Sequence, residues 1–541
     1  MQRSSRSRLA VLLAVTALIA GCDSKPADRA APSSSPSSTA APVSDLPPPL
    51  VPAMPLPDNA VENAVAKLDG IADELMKKSG IPGMAVAVVH GGKTVYAKGF
   101  GVKDARNGDS PENKVDPDTV FQLASLSKPL GSTVVAHQVG QGAITWDTPI
   151  VAELPWFALQ NPDVTKMVSV GDMYSHRSGL PDHAGDLLED LGYDRRYILD
   201  RLRQLPLDPY RISYAYTNFG LTAGAEAVAT SAGKTWEELS QEVLYGPLGM
   251  TSTSSRFDEY ESRTDKAVGH IHIDDAYKPL YVRDAQPESP AGGVSSSAND
   301  MTKWLTMMLA DGSFNGQQIV DPKALLPAVT PQITSSPPSE PAMRSGFYGY
   351  GFNVGTTSAA RVQLSHSGAF DVGGAGTNFV IIPSADVAIV ALTNATPSGI
   401  PETLTAEFAD LVQFGEVRQD WRTLYGDAFA AMEGPEGSLA GQKPPASPAP
   451  APAMPTLVGT YDNPYWGPAT VADTDGRLTL AIGPRERFEL SHWDGNVFTF
   501  VPTGENAPPG SISKATFTGD VLTLEFYDAE KMGAFTRAPG R

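Results

Sequence analysis

A serine followed three residues later by a lysine is the simplest arrangement in this 541-residue chain that could generate a nucleophile. On a helix, positions i and i+3 share a face, so the amine sits beside the hydroxyl and can take its proton. With eighteen lysines in the chain the spacing recurs by chance, and it occurs three times: Ser125/Lys128, Ser231/Lys234 and Ser511/Lys514. Two downstream elements discriminate among them. A Tyr-x-Asn would supply a second acid–base group and an amide, and a Lys-x-Gly or His-x-Gly on a strand would line the site. Tyr-x-Asn occurs at Tyr216-Thr217-Asn218 and at Tyr461-Asp462-Asn463; downstream of the first of these, the third element occurs at His366-Ser367-Gly368 and at Lys531-Met532-Gly533. Only Ser125, Tyr216 and His366 follow one another inside one stretch without a proline-rich break. Gly-x-Ser-x-Gly, the strand-turn-helix signature of the α/β-hydrolases, does not occur, which argues against that fold.

The elements that must position these residues can be read from periodicity. Val61, Val65, Leu68, Ile71 and Leu75 recur at helical spacing, with Asp58 as the expected cap and Gly80 as the stop. Met84–Val89 and Thr94–Phe100, joined by Gly91-Gly92, read as a hairpin. The grammar returns at Asn378–Ile382 and Asp386–Leu392, turned at Pro383-Ser384, before a helix around Thr403–Phe414. Strand pairs at both ends of a helical middle predict an α+β domain: one antiparallel sheet built from the two chain ends, flanked by helices, with an inserted helical region. Alternating segments at Leu478–Ile482, Val497–Val501, Lys514–Thr518 and Val521–Phe526 predict a small all-β barrel or sandwich as the tail.

Proline marks the joints. Residues 22–58 are rich in Pro, Ser and Ala and cannot bury a core, so they read as an extended tether, and 431–456 reads as a second linker. The expected domains are therefore 59–430 and 457–541.

The chain carries 41 Lys plus Arg against 61 Asp plus Glu, a net charge of −20, which excludes a nucleic-acid partner as the main theme. Its one cysteine, Cys22, rules out an intrachain disulfide or a cysteine-based metal site. Position gives that residue its meaning. Arg3, Arg6 and Arg8 precede the apolar run Leu9–Ala20, which suits a signal peptide (1–21) and is short for a bilayer span. The run ends in Leu18-Ile19-Ala20-Gly21-Cys22, which resembles a lipobox whose cysteine is acylated. That resemblance implies a membrane partner through lipidated Cys22 and a bacterial cell-envelope location on the periplasmic side.

"TVFQLASLSKPL", "MYSHRSGLPDH", "YAYTNFG", "LYGPLGMTST", "AGGVSSSANDM" and "LSHSGAF" run in sequence from 119 to 370. Together they resemble the serine hydrolases related to class C β-lactamases and DD-peptidases, over about residues 60–425. The tail's "LVGTYDNPYWGPATV" and "LSHWDGNVFTF" resemble an accessory domain of unknown function that follows such hydrolases. The resemblance implies a β-lactamase/transpeptidase-like fold and a cofactor-free, metal-free serine acyl hydrolase. Its substrates would be D-amino-acid peptides, small esters or β-lactams. Carried over residue by residue, it makes Ser125 the nucleophile, Lys128 and Tyr216 the proton-transfer groups, and Asn218 the ligand of a substrate carbonyl. His366, Ser367, Gly368 and Ala369 would form the substrate-binding strand, with the N–H groups of Ser125 and Ala369 as oxyanion hole. His366 stands where most β-lactamases carry a lysine, which shifts the expectation toward peptidases and esterases. The alternatives are a β-lactamase proper and a catalytically silent penicillin-binding sensor.

Overall fold

The computed structural model describes residues 46–432 and 434–539. The signal segment and Cys22 lie outside the described residues.

Helix α1 (Ala60–Ser79) buries Val61, Leu68 and Leu75 along one stripe and stops at Gly80. The expected cap differs: Asn59 occupies that position in a left-handed conformation with no side-chain cap bond. Asp58 instead offers its carbonyl to the side-chain amide of Asn63 at 3.0 Å. Strands β1 (Gly83–His90) and β2 (Lys93–Gly101) form the predicted hairpin. Gly91 and Gly92 both have positive φ, as a two-residue turn matching strand twist requires.

The chain returns to this sheet after residues 102–332. The later strands are β3 (Ile333–Ser336), β4 (Gly346–Tyr348), β5 (Asn353–Thr356), β6 (Val362–Phe370), β7 (Ala375–Ile382) and β8 (Val387–Thr393). The sheet order is β2-β1-β8-β7-β6-β5-β4-β3, every pairing antiparallel. All residues of β7 and β8 are buried. Both faces of these strands are therefore covered, which explains their unbroken apolar runs. On one face α1 packs with α2 (Ile400–Phe414). The other face carries the inserted helices, including Ser127–Gly140, Asn218–Ser231 and Ala298–Leu309. Ser127–Gly140 is buried along almost its whole length, so it is a core helix and not an amphipathic surface one.

The tail forms a nearly closed, nine-stranded antiparallel barrel between Gly459 and Arg537. The four predicted strands all lie in it. The proline-rich stretch before it is pinned along the barrel. Glu436 N–H donates to Ser511 Oγ (2.8 Å), Ile512 N–H to the Glu436 carbonyl (2.9 Å) and Ala449 N–H to Asp494 (2.6 Å). The stretch makes a turn of its own, with Ala440 N–H donating to the Gly437 carbonyl at 3.1 Å, and the barrel supplies further partners. One continuous apolar core runs from the helical insertion into the barrel.

Candidate active site

Ser125 lies in a single 3-10 turn, Ala124–Leu126, at the head of the buried helix Ser127–Gly140. Ala124 is held at φ +47°, an unfavourable conformation for a residue with a Cβ, which forces the chain sharply from strand into helix. Lys128 follows one turn later and is fully buried. Its Nζ lies 3.0 Å from Ser125 Oγ, 2.7 Å from Asn218 Oδ1 and 3.0 Å from the Ala291 carbonyl. Tyr216 donates its hydroxyl to Ser125 Oγ at 2.9 Å. The fold thus brings together the three predicted proton-transfer residues and Asn218.

Electrostatics separate the two candidate bases. Burial pulls the Lys128 ammonium down to about 7, although Glu288 and Asp186 oppose the shift. Burial pushes the Tyr216 phenol well above its ordinary value, so it remains a donor. The ring of Tyr216 also covers Lys128 Nζ, 4.5 Å from its centroid. His176 packs against that ring at 4.5 Å and accepts the Thr217 N–H through Nδ1 at 3.2 Å.

The third element divides its residues between two faces of the sheet. His366 is buried, with Nδ1 2.7 Å from the Ser367 carbonyl and Nε2 2.9 Å from the Tyr348 hydroxyl. Burial, reinforced by Lys128, pulls its imidazole down to about 3, so this position carries no charge at neutral pH. Ser367, expected at the substrate strand, points the other way, because successive strand residues alternate. Its hydroxyl accepts from Asn378 Nδ2 at 2.9 Å beneath α2. Gly368 has a packing reason to lack a side chain. A Cβ there would stand 2.3 Å from the Leu123 carbonyl and 3.0 Å from Ser125 N, so the missing side chain lets β6 press against the turn carrying Ser125. Ala369 lines the cavity beside Ser125 and Asn218. Asn218 differs in its engagements: Oδ1 faces Lys128, and Nδ2 donates to Asp186 at 3.0 Å. Asp186 takes one of the two Nδ2 hydrogens.

The rejected matches are structural. Ser231 bonds back to the Val228 carbonyl and Lys234 pairs with Glu242. In the barrel, Asn463 of the second Tyr-x-Asn donates to the carbonyls of Met532 (2.7 Å) and Ala534 (2.9 Å), tying two chain segments together.

Several residues of the site had no signal in the ordered motifs. Asp186 accepts from Asn218 and lies 2.8 Å from His183 Nδ1. Burial opposes the charge of that imidazole, but Asp182 and Asp186 outweigh it and raise it to about 9. Arg283 and Glu288, and Glu505 from the barrel, line the same cavity of about 100 Å³. His183 sits in a quoted motif; the others carry no local pattern.

Residues 68–413 match the sequence profile named Beta-lactamase. The chain belongs to the Beta-lactamase family. A second profile, a domain of unknown function (DUF3471), matches residues 443–533, so it spans most of the barrel. Among the similar proteins, the unguisins hydrolase ungD' of Aspergillus campestris is 28% identical over 411 residues, covering 72% of this chain and 73% of its own. Penicillin-binding protein 4 of Amycolatopsis lactamdurans is 28% identical over 400 residues, covering 72% of this chain and 95% of its own. The solved structure of the octameric penicillin-binding protein homologue from Pyrococcus abyssi matches with a TM-score of 0.56 at 19% identity. It covers 85% of this chain and 98% of the other, a likeness of fold.

Proposed function

We propose that the protein is a serine hydrolase that forms an acyl-enzyme on Ser125 and hydrolyses it with water. The observation that carries this reading is the convergence of Lys128 Nζ and Tyr216 Oη on one serine oxygen, at 3.0 and 2.9 Å. A count of hydrogens assigns the roles. A neutral lysine amine has two N–H bonds and one lone pair. Asn218 Oδ1 and the Ala291 carbonyl take the two hydrogens, which leaves the lone pair for the Ser125 O–H. Tyr216 then donates to Ser125 Oγ from the other side. Lys128 is the general base, and the pull of burial toward neutrality supports that role.

Ser125 Oγ attacks the substrate carbonyl carbon and its proton passes to Lys128 Nζ. The oxyanion forms against the N–H groups of Ser125 and Ala369. Lys128, through Tyr216, returns the proton to the leaving amine or alcohol. Water then repeats the sequence on the ester and frees the acid. The substrates are D-amino-acid peptides and small esters. β-Lactams rank last, because the neutral His366 offers no cation to their carboxylate. The enzyme acts from a lipid anchor at Cys22 on the periplasmic side of a bacterial membrane.

The test is intact-mass analysis of the soluble chain with a p-nitrophenyl ester and with benzylpenicillin. A Ser125-dependent adduct or turnover of the ester is expected. Its absence from the wild type, or its persistence in Ser125→Ala, sinks the reading. Failure of Cys22→Ala to abolish metabolic labelling by a fatty acid would sink the anchor.

A further inference from the structure

Asn218 can help Lys128 act as a base only if its amide is held one way round. With Oδ1 toward Lys128, it takes one N–H of the amine and leaves the lone pair for Ser125. Turned over, it would offer N–H groups to that lone pair and block the base. The two ends of an amide are nearly the same size, so packing alone does not select between these orientations. Asp186 selects. An ionised carboxylate only accepts, so the 3.0 Å contact of Asp186 Oδ2 requires the Nδ2 end of Asn218 on that side.

The same arrangement has an electrostatic drawback. The negative charge of Asp186 favours the ammonium form of Lys128, as does that of Glu288, and a charged lysine has no lone pair. His183 supplies the compensating cation. Its Nδ1 lies 2.8 Å from the Asp186 oxygen that Asn218 uses. Burial opposes the imidazolium, but Asp182 and Asp186 outweigh it and raise it to about 9. Lys128 repels that cation, and repulsion between two sites is mutual, so His183 pushes Lys128 toward its neutral form.

The other charges around the pair leave this balance in place. His183 Nε2 has no hydrogen-bond partner among the described residues and stands 3.9 Å from Asp182 Oδ2. Burial holds His176 well below its ordinary value, with Lys128 adding to the shift, so it brings no charge. Glu288 faces both Asp186 and Lys128; burial pushes its carboxyl up to about 7, although Arg283 opposes the shift. Asp208 acts on the far side of Asp182, and Glu530 of the barrel lines the small pocket behind His183.

The turn is built to hold this histidine. His183 sits at φ +57°, a left-handed conformation that is unfavourable for most residues with a Cβ. Its N–H donates to the Tyr216 carbonyl at 2.7 Å, and the Tyr216 N–H donates back to Asp182 Oδ1 at 2.8 Å. The turn is thus pinned to the backbone of the residue whose hydroxyl reaches Ser125. From it one chain of contacts runs through His183, Asp186, Asn218 and Lys128 to the serine.

We propose that His183 and Asp186 are positioning residues for Lys128. Asp186 fixes the Asn218 amide with its oxygen toward the amine, and His183 offsets the charge that this carboxylate would otherwise impose there. The inference rests on the reading of Lys128 as the base for Ser125 and names the groups that keep that base aimed and neutral.

Two variants separate the two roles. His183→Asn keeps an amide donor near the place of Nδ1, tolerates the left-handed φ and removes the positive charge. In the full chain, isotope-labelled at lysine Cε, the Lys128 resonance is identified by its loss in Lys128→Met. Its titration midpoint should rise by about one pH unit in His183→Asn, the scale of one neighbouring charge. kcat/KM for a neutral ester should fall about fivefold at pH 7 and recover as the pH passes the new midpoint. His183→Gln repeats the measurement if His183→Asn folds poorly. Asp186→Asn keeps the shape and loses the obligate acceptor, so the rate should drop roughly tenfold or more even at high pH.

A Lys128 midpoint that stays or falls in the His183 variants, a loss of rate that alkaline pH leaves in place there, or a wild-type plateau in Asp186→Asn would overturn the proposal. The two readings fail separately, because the midpoint is read without turnover. Ester turnover at Ser125 with an unmoved midpoint removes the positioning pair and keeps the hydrolase. A midpoint that rises in a protein without Ser125-dependent turnover removes the hydrolase.

Discussion

The two walls of the cleft at Ser125 are built on opposite principles. On the near wall, every polar atom of Lys128, Tyr216 and Asn218 that bears on the serine has a partner within 3.0 Å. On the far wall, buried carboxyl oxygens of Asp186, Glu189 and Glu288 have none. A fully matched network is rigid and preorganised, as acid–base chemistry demands. An unmatched one gains most when a ligand arrives. The near wall comes wholly from the sheet-and-helix domain, while the far wall borrows Glu505 from the barrel. The two walls are therefore separable by mutation.

The largest effect is expected on the near wall. Ser125→Ala removes the nucleophile and should lower kcat/KM for an ester by roughly 10⁴-fold or more, while thermal unfolding stays near the wild-type temperature. Retention of substantial turnover in this variant breaks the comparison at its root. Tyr216→Phe keeps the ring against His176 and over Lys128 and deletes one proton donor, so the expected loss is about 10²–10⁴-fold.

A pH profile sharpens the assignment of the base. Lys128 can accept a proton only when neutral, and burial brings its ammonium down to about 7. kcat/KM for a neutral ester should therefore rise with pH below about 7 and level off above it. The Tyr216 phenol stays protonated throughout this range. A profile that instead keeps rising through pH 9 would point away from Lys128.

How much of this was legible in the sequence depended on whether the information was local. The Ser125-x-x-Lys128 pair needs only a helix, and the hairpin at Gly91-Gly92 needs only a turn. Both stand as read. Order along the chain was enough to separate Tyr216 from Tyr461, because only one lies in the same domain as Ser125. The direction of the Ser367 side chain was not legible, because a tripeptide motif carries no record of which strand residues face the cleft. Asp58 was misjudged because Asn59 starts the helix from a left-handed conformation without a capping bond. Glu505 could not be found at all. Its place opposite Ser125 depends on how two domains pack, and nothing within a few residues of it encodes that. The reason for Gly368 was equally hidden, since it depends on the approach of Leu123 and Ser125 from 243 or more residues away.

Gly368→Ala tests that approach at an intermediate scale. The added methyl would meet the Leu123 carbonyl and Thr377 Oγ1, both at 2.3 Å, so backbone must shift. The expected destabilisation is about 1–3 kcal/mol, the range for overpacking a core. Because the turn that moves carries Ser125, activity should fall further than stability alone accounts for. Chemical denaturation beside ester kinetics separates the two, and a variant with wild-type kcat would refute the claim that the contact positions the serine.

The smallest effect lies at the joint between the domains and bears directly on the separation of the two walls. Tyr193 donates its hydroxyl to the Trp466 carbonyl of the barrel at 2.8 Å and stacks on Tyr197 at 3.8 Å. Tyr193→Phe keeps the stacking and deletes the hydrogen bond, at a cost of about 1 kcal/mol to the docking of the barrel. Neither ring touches Ser125 or its partners, so ester turnover should hold within about twofold of the wild type. Looser docking lets the Glu505 loop leave the cavity mouth more often, so any change should fall on KM and not on kcat. A loss of ester turnover as large as that of Tyr216→Phe would mean the near wall depends on the barrel as well, and the two walls could no longer be treated as separable.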